Sequence, residues 1–481
     1  MREGWRTWRL RLLFGVPILF SCTAFLLLFY PGLMSFDSFD QWAQAHSWQI
    51  STWHSPTHTI CIGLLTKIAD TPVSIAVVQS LALALLVGWA AGMAVRISGR
   101  VWLGWVTAII PAIAVQNALM AITVWKDVPF SLALVAVTAM LCAASLLPKF
   151  LITTREAVLF GLLVAIVVLF RSNGFLPAVV ALAGLLVLRG FTKASLTAVL
   201  TVGLTVATIQ GPVFRLLKVE PSTQPALAWP SIHVIAAHMA KGMPMEPQER
   251  ILVSQVRPLD EWSYRCDTMT FLQNDDFLNT DFVEANASAL FNLAVRLSLR
   301  RPRNLASHLV CFSSYLWSPV TWKYDVLETF PIQWTRDRRL DEFDYAVYNK
   351  FNLDLPKRLP VSQHLPLHSF IIFLNGAWGQ GFFVRPAFWL YVWLMPALIL
   401  CFRQRSARPL VHAVPIVINA VTLAVAAPCQ ALRYFYYIMP ASACLAPLLW
   451  WQVLKAANKP ILPSPKLKAV FAEPVQLAKR S

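Results

Sequence analysis

Charged residues are scarce in this chain: they make up 14% of its 481 residues, where a soluble domain carries about 25%. Acids are the scarcer kind, 24 Asp and Glu against 41 Lys and Arg, for a formal charge of +17. In a soluble protein such an excess suggests nucleic acid. Here no basic patch is interleaved with aromatics in the nucleic-acid manner. Most Lys and Arg sit instead in short hydrophilic breaks and at the termini, where they set topology and touch anionic lipid. No C-x-x-C pair is present, which argues against zinc and thiol redox chemistry. There is no Walker loop, no strand-associated G-x-G-x-x-G and no H-E-x-x-H, which speaks against an ATP-driven pump and a zincin.

Apolar residues are abundant, at 57% of the chain, with a mean hydropathy of +0.57. Apolar runs of roughly 18 or more residues recur, as in a polytopic membrane protein. The basic start MREGWRTWRLR precedes a long run, Leu12 to Tyr30, with no small-residue cleavage site. It reads as an uncleaved signal anchor with a cytoplasmic N-terminus. Further spans are expected at Thr71–Val95, Val101–Leu119, Phe130–Leu147, Ala157–Phe170, Leu176–Leu188 and Ser195–Val213, then at Pro386–Phe402, Leu410–Ala427 and Leu432–Leu454. The expected fold is an all-α polytopic membrane protein of about ten transmembrane helices. A mostly helical extracytoplasmic domain (214–383) is inserted before the last three spans, with helical patterns at Asp281–Arg300 and Arg303–Leu316. Ser369–Phe382 is short enough to lie along the interface. The membrane modules cover 1–213 and 384–454, and a basic cytoplasmic tail covers 455–481.

Each break assigned to the cytoplasm carries Lys or Arg: Arg96 and Arg100, Lys149 and Arg155, Arg189 and Lys193, Arg403, Arg405 and Arg408, then Lys455 and Lys459. The positive-inside rule is met. The loop 31–70, the Lys126–Asp127 break, the Arg171–Asn173 break and the long domain then share the outer face. Six cysteines (Cys22, Cys61, Cys142, Cys401, Cys429, Cys444) read as small buried hydrophobes. Cys266 and Cys311 both lie in the long domain, where a disulfide would form if that domain is extracytoplasmic.

The loop 31–70 is the richest stretch. SFDSFDQW puts Asp37 and Asp40 three apart, on one face if helical. They are the candidate catalytic acids, able to act as a general base or to meet a cation, with Asp37 ranked first. The bland alternative is a solvated loop start with an N-cap aspartate. WHSPTHT adds His54 and His58, but the intervening Ser-Pro weakens a helical metal face, so hydrogen bonding to a phosphate or sugar is preferred and a divalent metal stays open. Trp42, Trp48 and Trp53 suit sugar stacking or interface anchoring. WKDVPF offers Lys126 for a phosphate and Asp127 for an acceptor or a metal; the alternative is a structural ion pair or a snorkelling lysine. Arg171, with Asn173, stands at an outer boundary that disfavours Arg, so it points to an anionic partner. Arg433 and Tyr434, near the outer end of the last span, need a carboxylate or a lipid phosphate. In the domain, His233, His238, Lys241, Glu261, Lys323 and Asp325 show no telling spacing, and Asn286-Ala287-Ser288 is a bare sequon.

Taken together, an N-terminal span, an outer loop with FDSFDQW and WHSP, and then WKDVPF, RSNGF and RYFYYIMP resemble the glycosyltransferase C superfold, specifically its bacterial family 39-like members. The resemblance covers Trp5 to Phe214 and Pro386 to Trp451. It implies a polyprenyl-phosphate-linked sugar donor and a glycan, lipid or protein acceptor, with no nucleic acid as partner. It also implies an active site at the outer face of the inner (plasma) membrane, with both termini cytoplasmic. Asp37 would take the acceptor's proton, and Arg171, Lys126 or Arg433 would meet the donor phosphate. Many members have Asp-Glu or Asp-x-Asp in this loop, whereas this chain has acids three apart, leaving the choice of acid and the metal open. The rival reading is a transporter or flippase of lipid-linked intermediates, which would place charges at the bilayer midplane and matching broken helices in two halves.

Overall fold

A computed structural model describes residues 2–222, 228–268, 278–320, 384–427 and 429–457 of the chain. The first half runs α1 (Arg2–Leu28), α2 (Phe36–Ser47), α3 (Pro56–Thr66), α4 (Pro72–Ser98), α5 (Val101–Ile113), α6 (Val115–Ala121), α7 (Asp127–Leu146), α8 (Thr154–Phe170), α9 (Phe175–Arg189) and α10 (Lys193–Thr208). α10 continues through a π turn, Ile209–Val213, as far as Leu216. That carries the span three residues past the expected boundary at Val213.

Outside this bundle lie α11 (Ala228–Ala240), α12 (Pro247–Val256), α13 (Thr280–Ala285), α14 (Ala287–Arg300), α15 (Pro302–Phe312) and α16 (Ser314–Trp317). The two helices expected here are each broken, at Asn286 and at Ser313. The first of these meets α11 and α12 in a separate core around Ile232, Val253, Leu290 and Leu293, whereas Phe312 and Tyr315 of the second belong to the core of the bundle. Four helices end the described chain: α17 (Pro386–Gln404), α18 (Val414–Ala426), α19 (Leu432–Phe435) and α20 (Ile438–Ala457). The interfacial segment Ser369–Phe382, and Lys323 and Asp325, lie outside the described residues.

Among the described residues, eight helices are long and apolar enough to cross a membrane, and α5 with α6, bent by 66°, would make a ninth. The helix at the remaining expected span, α8, has 17 residues, about 25 Å at 1.5 Å per residue. Arg171, just past its C-terminus, meets Asp127 at the start of α7. At the other end Arg189 closes α9 onto the carbonyls of Ala144, Leu147 and Phe150 at 2.6–2.7 Å. Among the described residues the bundle is built of helices without a strand, and α8 packs beside α7 and α9.

Two local features shape the half that carries the loop. At the α5–α6 bend the Asn117 side-chain amide donates to the Pro111 carbonyl at 3.0 Å, satisfying a group that an unbroken helix would have bonded. The bend turns the chain toward Leu33. At the other end of the bundle α1 crosses α4 at Gly88, where a Cβ would overlap the Arg11 carbonyl oxygen. Only a residue without a side chain permits this approach, the small-residue packing of membrane helices. Gly88→Val should lower stability by about 1–3 kcal/mol, read as a lower thermal unfolding midpoint in detergent. Gly203→Val, where a Cβ meets nothing within 4 Å, should leave the midpoint near wild type.

Candidate functional site

Two stretches far apart in sequence are joined at the loop end of the bundle. The Leu33 amide donates to the Ile122 carbonyl at 3.0 Å, and the Val124 amide donates back to Leu33 at 2.8 Å. The Ser38 hydroxyl then donates to the Val124 carbonyl at 2.6 Å, across 86 residues, and the Trp125 indole donates to Ser35 Oγ. Ser35 and Ser38 also open α2, the Ser35 amide donating to Ser38 Oγ at 2.9 Å, a serine version of the reciprocal cap. One set of bonds thus starts the helix bearing Asp37 and fixes it beside Lys126.

The second half of the loop is pinned separately. Ser55 caps α3 by accepting from the His58 amide, with Pro56 in the first turn. Its hydroxyl donates to the Leu169 carbonyl at 2.9 Å, seating α3 on the end of α8. Gln41 Nε2 donates to Thr59 at 3.1 Å, and its Oε1 is 3.0 Å from His58 Nδ1. These bonds bring His54 to the Asp37–Lys126 edge.

Asp37 Oδ2 accepts from Arg433 Nη1 at 2.8 Å and stands 3.9 Å from Lys126 Nζ. Arg433 Nη2 donates to the Tyr434 hydroxyl at 2.9 Å. The Arg433 guanidinium lies 5.3 Å from the Trp125 ring centre and 4.9 Å from that of Tyr434. Lys126 donates to His54 Nδ1 at 2.8 Å, and His54 Nε2 is 3.1 Å from Asp40 Oδ2. Asp37 is 29% exposed and Asp40 46%. Asp37, Asp40, His54, Lys126, Arg433 and Tyr434 therefore form one cluster open to the outside.

Asp127 and Arg171 border this cluster but are turned to each other. They form an ion pair in which the Asp127 side chain is 2% exposed. Arg171 Nε donates to Asn173 at 2.9 Å, and Asn173 to Asn419 at 2.7 Å. Their charges are matched internally, and they brace α7, α8 and α18. His58 is set back, buried against the Phe170 ring. Of the tryptophans, Trp42 is core, Trp48 lies beneath Lys67, and Trp53 is 46% exposed. In the inserted domain, His233 packs against Tyr264, His308 and Phe312, and His238 reaches Ser298, so neither joins the cluster.

Burial alone would raise the Asp37 carboxyl. Arg433, Lys126 and His54 outweigh it and hold the group well below the usual carboxylate range. Burial pushes the Lys126 ammonium down to about 8, opposed by Asp37 and aided by Arg171 and Arg433. His54 is lowered by burial and by Lys126, and His58 falls to about 3, mostly through burial.

The described residues of the cluster do not make a divalent-metal site. Among the described residues, no three His, Cys, Asp or Glu side chains are grouped to hold one, and Asp37 already faces two cations. The three histidines of the loop go to different partners, His46 to Asp70, His54 to Lys126, and His58 to Gln41.

Searched against protein-family models, curated proteins and solved structures, the chain finds no match in any of the three.

Several supporting residues escaped the sequence reading. Ser38 and Trp125 align the two stretches, and Asn419 anchors Asn173. Gln430 donates to the Cys311 and Phe312 carbonyls at 2.8 Å each, and its amide to the Asp267 carbonyl at 2.8 Å. Cys266 and Cys311 are joined in a disulfide, so Gln430 ties the approach to Arg433 to that cross-linked segment. A polar amide inside an apolar span, as at Asn419, was the available signal. The others depend on contacts that sequence spacing does not encode.

Asp127→Asn should cost about 3–5 kcal/mol by leaving Arg171 buried without its counter-charge. The double change Asp127→Asn with Arg171→Met should cost less than either single change. Unfolding midpoints of the three variants in one detergent check this.

Proposed function

We propose that the chain is a membrane glycosyltransferase that moves a sugar from a polyprenyl-phosphate donor to a cell-envelope glycan, lipid or protein acceptor. The observation that carries this reading is the partly exposed Asp37 carboxylate, held against Arg433 and Lys126 at the end of an apolar bundle. Such a site offers a base and an anion cradle within one side-chain length. It sits where a lipid chain can lie between helices while its phosphate meets cations. The acceptor hydroxyl gives its proton to Asp37 as its oxygen bonds to the anomeric carbon. The bond from that carbon to the phosphate oxygen breaks on the opposite side, with inversion. Polyprenyl phosphate leaves with its charge met by Arg433 and Lys126. A phosphate that draws these cations toward itself loosens their hold on Asp37 and makes it a stronger base.

The placement at an extracytoplasmic face rests on two supports. The bundle end opposite the cluster carries Arg96, Arg189 and Arg403, in keeping with the positive-inside rule. The disulfide on the cluster side suits an oxidising compartment. The α5–α6 bend is the one feature that favours a transporter, whose sites lie at broken helices. Here the bend delivers Ile122–Lys126 to Leu33 and Asp37, which suits a fixed site.

Mass spectrometry of envelope glycans and lipids, from cells lacking the protein and rescued by wild type or Asp37→Asn, tests the reading. One sugar-sized mass should disappear without the protein and return only with wild type. An unchanged profile, or full rescue by Asp37→Asn, moves the weight to the transporter.

Lys126 carries its charge below about pH 8 and loses it above. Binding of farnesyl phosphate, a short stand-in for the leaving lipid phosphate, should therefore weaken about tenfold as the pH rises through 8, the worth of one charged hydrogen bond. Titration of the protein in nanodiscs checks this.

A further inference from the structure

The proposed reaction leaves a proton on Asp37, a carboxyl poorly suited to keep it between Arg433 and Lys126. The surroundings offer an outlet. Lys126 faces Asp37 at 3.9 Å and donates to His54 Nδ1 at 2.8 Å. An ammonium only donates, so Nδ1 is the bare nitrogen and Nε2 carries the hydrogen. That hydrogen points to Asp40 Oδ2 at 3.1 Å. Asp40 also accepts from Gln44 at 2.8 Å and is 46% exposed, whereas the His54 side chain is 6% exposed. The links therefore run from Asp37, the less exposed acid, to Asp40, the more exposed one.

We propose that Lys126, His54 and Asp40 form a proton relay that carries the acceptor's proton from Asp37 to solvent. The relay rests on the transferase reading, with Asp37 as the base. Asp37 passes its proton to Lys126 as Lys126 gives one of its three to His54 Nδ1, and His54 gives the Nε2 proton to Asp40. Asp37 is again a carboxylate and Lys126 again an ammonium. Asp40 releases the proton to water, and a half-turn of the imidazole restores the first tautomer.

The other charges nearby are committed elsewhere. Arg171 is paired with Asp127, Arg433 holds Asp37 and Tyr434, and His58 is bonded to Gln41. None of them links Asp37 to the exposed edge. The lowered affinity of Lys126 for its proton suits a group that must pass one on. The arrangement also gives the second acid of FDSFDQW a task. Asp40 is where the proton leaves, and acids three apart on α2 put one carboxylate inside the site and the other at its rim.

The full-length protein in nanodiscs, labelled with 15N-histidine, reports the tautomer. At pH 7 the relay requires His54 with a bare Nδ1 and a protonated Nε2, assigned by the signals lost in His54→Gln. An Nδ1-protonated or doubly protonated ring overturns it. His54→Gln keeps hydrogen bonding and Lys126→Arg keeps charge, but neither passes a proton. His54→Gln should bind farnesyl phosphate nearly as wild type does, yet both variants should transfer sugar at least about tenfold more slowly in cells. In membranes from His54→Ala cells, added imidazole should restore transfer. Near-normal transfer in His54→Gln and Lys126→Arg, with Asp37→Asn inactive, overturns the relay and leaves the transferase reading standing. Undiminished transfer in Asp37→Asn overturns that reading, and the relay with it.

Discussion

The bond between Asp37 and Arg433 closes this molecule on itself. It spans 396 residues and ties the first loop to the start of the last long helix. At the edge of a membrane bundle neither charge can be left bare, because an unmatched ion there costs several kcal/mol. Much else follows from meeting that demand. Trp125 and Tyr434 supply ring faces for the Arg433 guanidinium. Lys126 stands close enough to share Asp37. The serines at the start of α2 hold the carboxylate in register with both cations.

The polar groups at this end fall into two sets with different fates. Asp127, Arg171, Asn173 and Asn419 form a closed chain of mutual bonds. It does for the helix ends what a hydrophobic core does elsewhere, and it leaves little for a ligand. Asp37, Asp40, His54, Lys126 and Arg433 are bonded to one another but reach the surface. A substrate anion could exchange with their partners at modest cost. The proposed reaction uses the second set because its charges are balanced without being sealed.

Among the described residues, the inserted domain bears on the site through backbone bonds to Gln430. Its described histidines, His233, His238 and His308, are buried. Its cross-linked segment, Cys266 to Cys311, grips Gln430 from both sides. Gln430 lies three residues before Arg433, so the cross-linked segment is bonded to the chain close to the arginine at the centre of the cluster.

The sequence by itself determined the helices, their order and the gathering of expensive polar residues at one end. Apolar runs must fold as helices in lipid, and basic breaks alternate with polar loops. Asp37, Lys126 and Arg433 were legible because charges beside apolar spans need partners. Only the tertiary structure decided which charge answers which. Asp127 pairs with Arg171 rather than with its neighbour Lys126, and Lys126 turns to His54. It also split the Asp281–Arg300 helix at Asn286 and limited α8 to 17 residues. Pairing depends on which helix ends meet in space. That is settled by close approaches such as Gly88 on Arg11 and by the α5–α6 bend, which no local spacing along the chain records.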